Sequence, residues 1–121
     1  IDQLREAIDE NTIMIVGSAP AYAHGNFDDI EAVGKLAEPH RLWFHVDACL
    51  GGFVAPFVRE LGYPIPPFDF TVPQVTSLSA DLHKYGYAPK GSSVLLYRTP
   101  EHKEYARFVF RDWPRGLYQT Y

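Results

Sequence analysis

One cysteine in 121 residues, Cys49, excludes an internal disulfide and a cysteine-based zinc cluster. Nowhere do apolar residues run on toward the roughly 18 in a row that suggest a membrane-spanning helix. No basic start leads into an apolar stretch in the manner of a signal peptide. Basic residues are outnumbered, 11 Lys and Arg against 15 Asp and Glu for a formal net charge of −4. The basic stripe of a nucleic-acid surface is therefore missing, and no nucleic-acid partner is expected. Repeats and low-complexity segments are missing as well. What is there is a 46% hydrophobic content, enough for a packed core and too much for disorder. The length suits one domain at most, since domains cluster near roughly 100–150 residues. The chain opens at Ile1 inside an apparent helix and stops at Gln119-Thr120-Tyr121 without a capping signal, which reads as a piece of a longer polypeptide.

Apolar periodicity orders the elements. Ile1, Leu4 and Ile8 share one face of a helix over residues 1–10. The continuous apolar run Ile13-Met14-Ile15-Val16 predicts a parallel strand buried on both faces, ending in Gly17-Ser18-Ala19-Pro20. Asp28 or Asp29 caps a second helix through about residue 37, with Ile30, Val33, Leu36 and Ala37 facing inward. Leu42-Trp43-Phe44-His45-Val46 is the next strand, and a short helix over 53–61 precedes the Pro-rich turn Tyr63-Pro64-Ile65-Pro66-Pro67. Residues 75–79 and 92–97 are two further strands, and 100–107 is helical behind Pro100. The ten prolines sit between elements. This order implies an α/β layer with a largely parallel sheet. Ligands of such sheets gather beyond the carboxyl ends of the strands. Those ends carry Ser18, Tyr22 and His24, then Asp47, then Ser79, Asp81, His83 and Lys84.

Asp47 follows an apolar strand, where a carboxylate needs a cationic partner to stay ionised. Lys84, among aromatics and glycines with Lys90 six residues on, has the setting of a lysine whose pKa is lowered for nucleophilic work. The structural alternative is an Asp47–Lys84 ion pair. His45 and Asp47 share a strand face and form half of a metal site if His24 or His83 completes it, but no helical His pair or second Cys supports this, and no metal is expected. Cys49 is a candidate nucleophile or simply a small apolar residue. Gly51-Gly52 and Lys90-Gly91-Ser92-Ser93 offer backbone amides to a phosphate, as ordinary tight turns also do. Phe110, Trp113 and Tyr118 are candidates for a pocket lining, a core or an interface. No Gly-x-Gly-x-x-Gly follows a strand, which argues against a nucleotide-binding domain.

His45-Val46-Asp47-Ala48, with the lysine of His83-Lys84 37 residues after its Asp, resembles the fold-type I pyridoxal-phosphate enzymes of the group II decarboxylase-like superfamily. Two longer stretches, 45–53 and 77–93, resemble sphingosine-1-phosphate lyases, and the block His83-Lys84-Tyr85-Gly86-Tyr87-Ala88-Pro89-Lys90-Gly91 is the specific part. Ser18-Ala19-Pro20, His24-Gly25, Asp112-Trp113 and Gly116-x-Tyr118 support the likeness, which covers nearly the whole chain. It implies a fold-type I large domain, a mostly parallel sheet flanked by helices, of which residues 1–121 are the central part. The glycine-rich phosphate turn, the ring-stacking histidine and the small C-terminal domain then lie outside the chain.

The resemblance further implies pyridoxal 5'-phosphate as cofactor, with Lys84 as the Schiff-base lysine and Asp47 paired with the ring nitrogen. Ala48 would pack on the ring and His83 would reach the phosphate, with Ser79 and Asp81 in support. Tyr22, His24 and Lys90 would face the substrate, Tyr22 and Lys90 doing acid–base or phosphate-recognition work. The Gly91-Ser92-Ser93 turn would serve cofactor phosphate across a homodimer interface. The implied reaction is retro-aldol cleavage of a phosphorylated sphingoid base to a long-chain aldehyde and phosphoethanolamine. Two alternatives stand beside it: an amino-acid decarboxylase of the same superfamily, and an inactive fragment that only binds or supports. The compartment would be cytoplasmic for a bacterial protein, and the endoplasmic reticulum membrane with a cytosolic catalytic domain for a eukaryotic one.

Overall fold

The computed structural model describes residues 1–120, Trp113 by its backbone alone. The elements follow in the order α1 (Asp2–Ala7), β1 (Met14–Ser18), α2 (Ile30–Ala37), β2 (Trp43–Asp47), α3 (Ala55–Glu60), β3 (Ser77–Ala80), β4 (Val94–Tyr97), α4 (Pro100–Glu104), β5 (Phe108–Trp113) and β6 (Gly116–Thr120). Strands β1, β2 and β3 run parallel and β4 joins β3 antiparallel, giving the order β1-β2-β3-β4. The largely parallel α/β sheet implied by the sequence is therefore present. Among the described residues no helix is long and apolar enough to cross a membrane.

Register divides the side chains into two faces. Ile15, Phe44, Val46, Leu78 and Ala80 lie on one, and with Ile30, Val33 and Ala37 of α2 and Phe68, Val72 and Val75 of the loop before β3 they form the core. Helix α2 is placed by two neighbouring aspartates. Asp29 accepts from the amide of Ala32 at 3.0 Å as N-cap, and Asp28 reaches back to the amide of Ser18 at 2.7 Å.

The other face carries Met14, Val16, Trp43, His45, Asp47, Ser77, Ser79, Leu95 and Tyr97. Burial of β1 on both faces is not what the structure shows: Ile15 is buried, but Met14 and Val16 are 48% and 53% exposed. The reason is that the described helices and loops pack mainly on the Phe44 face. Of α4 and its end, His102 and Tyr105 stack edge-on against Trp43, and an open cavity of about 440 Å³ lies between Met14, Trp43, His45, Leu95, Tyr97 and Tyr105.

Strands β5 and β6 pair antiparallel as a separate two-stranded sheet that periodicity did not reveal. Phe108-Val109-Phe110 does not alternate, so only the Pro114-Arg115-Gly116 turn advertised it.

Candidate active site

The parallel ladder runs on past the strands as three short links. The amide of Ala19 donates to Asp47 O at 2.8 Å, that of Ala48 to Ser79 O at 3.0 Å, and that of Asp81 to Cys49 O at 3.3 Å. Three loops are thereby drawn to one end of the sheet. The closeness leaves no room at Gly51, where a Cβ would run into the backbone carbonyl of Ala19. Ala48, with no exposed surface, packs at the same level.

Asp47 is half-buried at the end of β2. The Cys49 amide at 3.0 Å and the Ser79 hydroxyl at 3.3 Å both donate to Oδ1, and the Cys49 side chain is a third neighbour of the carboxyl, so Oδ2 is the oxygen that carries neither an amide nor a hydroxyl donor. Burial alone would raise the Asp47 carboxyl, but these bonds and the neighbouring His45 outweigh it, and the pKa lies below the ordinary carboxylate value. The cationic partner expected from the sequence is therefore not needed: neutral amide and hydroxyl donors keep the carboxylate ionised, and no Asp47–Lys84 ion pair is formed.

Lys84 lies in the turn after β3. Its Nζ is 2.9 Å from Asp81 Oδ2, and its pKa is raised above the ordinary 10.5, first by hydrogen bonding with the Cys49 side chain and then by Asp81. This reverses the expectation that a second cation, Lys90, lowers it. Lys90 is exposed, and the groups acting on Lys84 are Cys49 and Asp81. Asp81 also accepts from Ser93 Oγ, which with Lys84 holds its pKa below the usual carboxylate value.

His83 Nδ1 lies 2.6 Å from Ser92 O; because a carbonyl only accepts, Nδ1 carries the proton there. His83 Nε2 lies 3.8 Å from Asp81 Oδ2. In the Gly91-Ser92-Ser93 turn, Ser92 O is thus engaged by His83 and the Ser93 hydroxyl by Asp81.

Asp47, Ala48, Ser79, Asp81, His83 and Lys84 therefore belong to one strand-end cluster. Tyr22 is 88% exposed, His24 and Lys90 are exposed, and no hydrogen bond or ion pair ties any of the three to Asp47 or Lys84. The Cys49–Lys84 neighbourhood escaped the sequence, since Cys49 sits in a turn where strand alternation ends. A second missed group lies on the same face as Asp47. His45 Nδ1 and Trp43 Nε1 each lie 2.8 Å from Ser77 Oγ, and burial holds the His45 pKa below its ordinary 6.5 against the pull of Asp47. His45 is thus engaged with Ser77, and among the described residues no three His, Cys, Asp or Glu side chains gather as metal ligands.

Residues 2–109 match the pyridoxal-dependent decarboxylase conserved domain. A sphingosine-1-phosphate lyase of Arabidopsis thaliana is 57% identical over 114 residues, which cover 94% of this chain and 21% of that protein. Among solved structures, the sphingosine-1-phosphate lyase of Burkholderia pseudomallei superposes with a TM-score of 0.92 at 48% identity, over 98% of this chain and 27% of that one. The glutamate decarboxylase of Lactobacillus brevis follows at a TM-score of 0.77 and 27% identity, with the same coverage. The chain spans about a fifth of the length of the curated relatives it matches.

Proposed function

The chain belongs to the pyridoxal-dependent decarboxylase family, and we propose that the protein is a pyridoxal-phosphate-dependent carbon–carbon lyase that cleaves phosphorylated sphingoid bases. The single observation that carries the chemistry is the ionised Asp47, its Oδ2 without an amide or hydroxyl donor, at a strand end shared with Lys84. Those side chains fit the cofactor: an anion for a protonated ring nitrogen, a primary amine for an aldehyde, and the small, fully buried Ala48 beside them. Lys84 would bond the cofactor through Nζ. Asp47 would accept the ring nitrogen's proton bond at Oδ2 and, held anionic by Cys49 and Ser79, keep that proton in place. Ala48 would support the ring, and His83, its Nδ1–H tied to Ser92 O, would donate to the phosphate from Nε2 as the imidazolium. Ser79 acts through Asp47, and Asp81 through Lys84.

Pyridoxal phosphate, when bound, supplies the electron sink that makes cleavage next to an amine-bearing carbon possible. Retro-aldol cleavage then needs a base for the substrate's C3 hydroxyl proton and cations for its phosphate. Lys90 and Tyr22 are the proposed groups for these tasks, with His24 toward the substrate; their exposure on the strand-end loops supports access. The products are a long-chain aldehyde and phosphoethanolamine. The lyase is preferred over a decarboxylase because Tyr87-Ala88-Pro89-Lys90 lies in the lyase-like block and lyase relatives share 47% to 57% identity where the decarboxylase neighbour shares 27%. The placing of residues 1–121 as the central part of a large domain rests on the resemblance. A homodimer with a shared site, and a cytoplasmic or endoplasmic-reticulum location, rest on the resemblance alone.

The test is a visible absorption spectrum of the full-length protein with pyridoxal phosphate, before and after a phosphorylated sphingoid base is added. A cofactor band that shifts with release of aldehyde is expected. A band that ignores this substrate and answers an amino acid with release of carbon dioxide would establish the decarboxylase. Lys84→Ala abolishes the band, and a retained protein-bound band would remove Lys84 from its role.

A further inference from the structure

We propose that Asp81 is a positioning residue that captures the free amine of Lys84 and thereby governs when that amine can attack a carbonyl. The inference rests on Lys84 as the cofactor-bonding lysine. Its basis is geometric. Asp81 and Lys84 are three residues apart in one tight turn, closed by the Lys84 amide on Asp81 O at 3.4 Å, and their side chains meet at 2.9 Å. The Asp81 side chain is 13% accessible and that of Lys84 31%, so the pair is partly shielded from water. Ser93, arriving from the segment before β4, fixes the carboxylate from the other side through Oδ1.

Charge decides what Asp81 is for. A carboxylate is a poor neighbour for a phosphate, because two anions in a half-buried site repel. It is a good counterion for an ammonium. The groups that face Lys84 are Asp81 in its own turn and Cys49 from the loop after β2; those that face Asp81 are Lys84, His83 and Ser93. Asp47 makes no ion pair with Lys84 and reaches it only through the Cys49 side chain, which neighbours both.

An ammonium has no lone pair. Before Lys84 bonds to an aldehyde carbon, one proton must pass from Nζ to solvent; the amine then adds to the carbonyl and water leaves. Asp81 stabilises the ammonium and so holds back that first proton. In the proposed reaction the amine is set free each time the substrate's own amine takes its place. That amine leaves neutral and would take one proton from solvent to become the ammonium that Asp81 pairs with, which slows its return and keeps a proton at Nζ for transfer.

The test is competitive labelling of amines in the cofactor-stripped full-length protein, read at the Lys84 peptide by mass spectrometry across pH. In Asp81→Asn the midpoint of Lys84 labelling falls by at least one pH unit, so labelling at neutral pH rises about tenfold or more, while Asp81→Glu keeps the midpoint near that of the parent. An unchanged midpoint in a folded Asp81→Asn protein overturns the inference. Should that variant not fold, Asp81→Ser decides by the same reading: it removes the carboxylate from the turn, so the Lys84 midpoint falls, and no change overturns the inference. Borohydride reduction of the holoenzyme identifies the cofactor-bonded lysine separately. A lysine other than Lys84 overturns the functional reading itself, whereas Lys84 bonded but indifferent to Asp81 overturns the positioning role alone.

Discussion

At the scale of single residues, Asp47 shows how a carboxylate is given a direction. Because Cys49 and Ser79 both donate to Oδ1, an amide at this position would place its oxygen there and turn its NH₂ toward the side where Oδ2 now lies. Asp47→Asn thus meets a protonated ring nitrogen donor to donor. A hydrogen bond to a charged group is worth roughly 1.5–3 kcal/mol, so cofactor affinity should fall about ten- to a hundredfold. Turnover should fall further, since the variant also loses the anion that keeps the ring protonated. Titration with pyridoxal phosphate followed by visible absorption checks the first, and aldehyde release at saturating cofactor the second; unchanged affinity and turnover would remove Asp47 from the site. Asp47 and Lys84 were legible in the sequence because each closes an apolar strand with a motif around it. The hydrogen-bond partners were not legible. Cys49 beside Lys84 and Ser93 on Asp81 arise from turns, whose paths depend on dihedral angles that neither alternation nor spacing encodes.

At the scale of elements, β2 presents two unlike faces. Phe44 and Val46 enter the core, while Trp43, His45 and Asp47 line the side that carries the site. Such alternation is readable from the sequence, but the exposure of Met14 and Val16 on β1 was not, because an apolar run does not say which of its faces the rest of the chain covers. His45 gives this face a pH dependence. Burial holds the folded imidazole below its ordinary 6.5, so the unfolded chain binds the proton more readily. The resulting contribution to stability is fully present above about pH 6.5 and is lost as pH falls from there through the folded value. Asp47, whose folded pKa is depressed, loses its contribution only lower, below the ordinary carboxylate range. Urea midpoints of the full-length protein should therefore drop between pH 7.5 and 5.5, and His45→Gln should flatten that part of the profile. An equal slope in the variant would assign the effect to other groups.

At the scale of the whole molecule, core and chemistry occupy different parts of one sheet. The core lies on the Phe44 face, whereas the cluster around Asp47 and Lys84 lies beyond the strand ends, stitched by the Ala19, Ala48 and Asp81 amides. The α/β order and the site's place at the carboxyl ends were legible, because the sheet's parallel connections need helices between strands and so write their order into the chain. The separation of core from site was not, since it depends on which side α2 and the residue 68–75 loop take. That separation has a measurable consequence at Phe44, which is wholly buried and whose amide donates a hydrogen bond to Thr76 Oγ1. Removing its ring leaves a cavity beneath β2, and such a Phe→Ala change costs about 3–5 kcal/mol. Against a typical domain stability of roughly 5–15 kcal/mol this is severe. The cost falls on the stability of the sheet, while Asp47 Oδ1 keeps both donors because neither comes from the Phe44 face. Phe44→Ala should therefore lower the thermal midpoint and the fraction of protein that retains cofactor. Turnover per bound cofactor should stay within about threefold of the parent, a span that corresponds to less than 1 kcal/mol. A loss of turnover per bound cofactor comparable to that of Asp47→Asn would show that the core and the site are mechanically one unit.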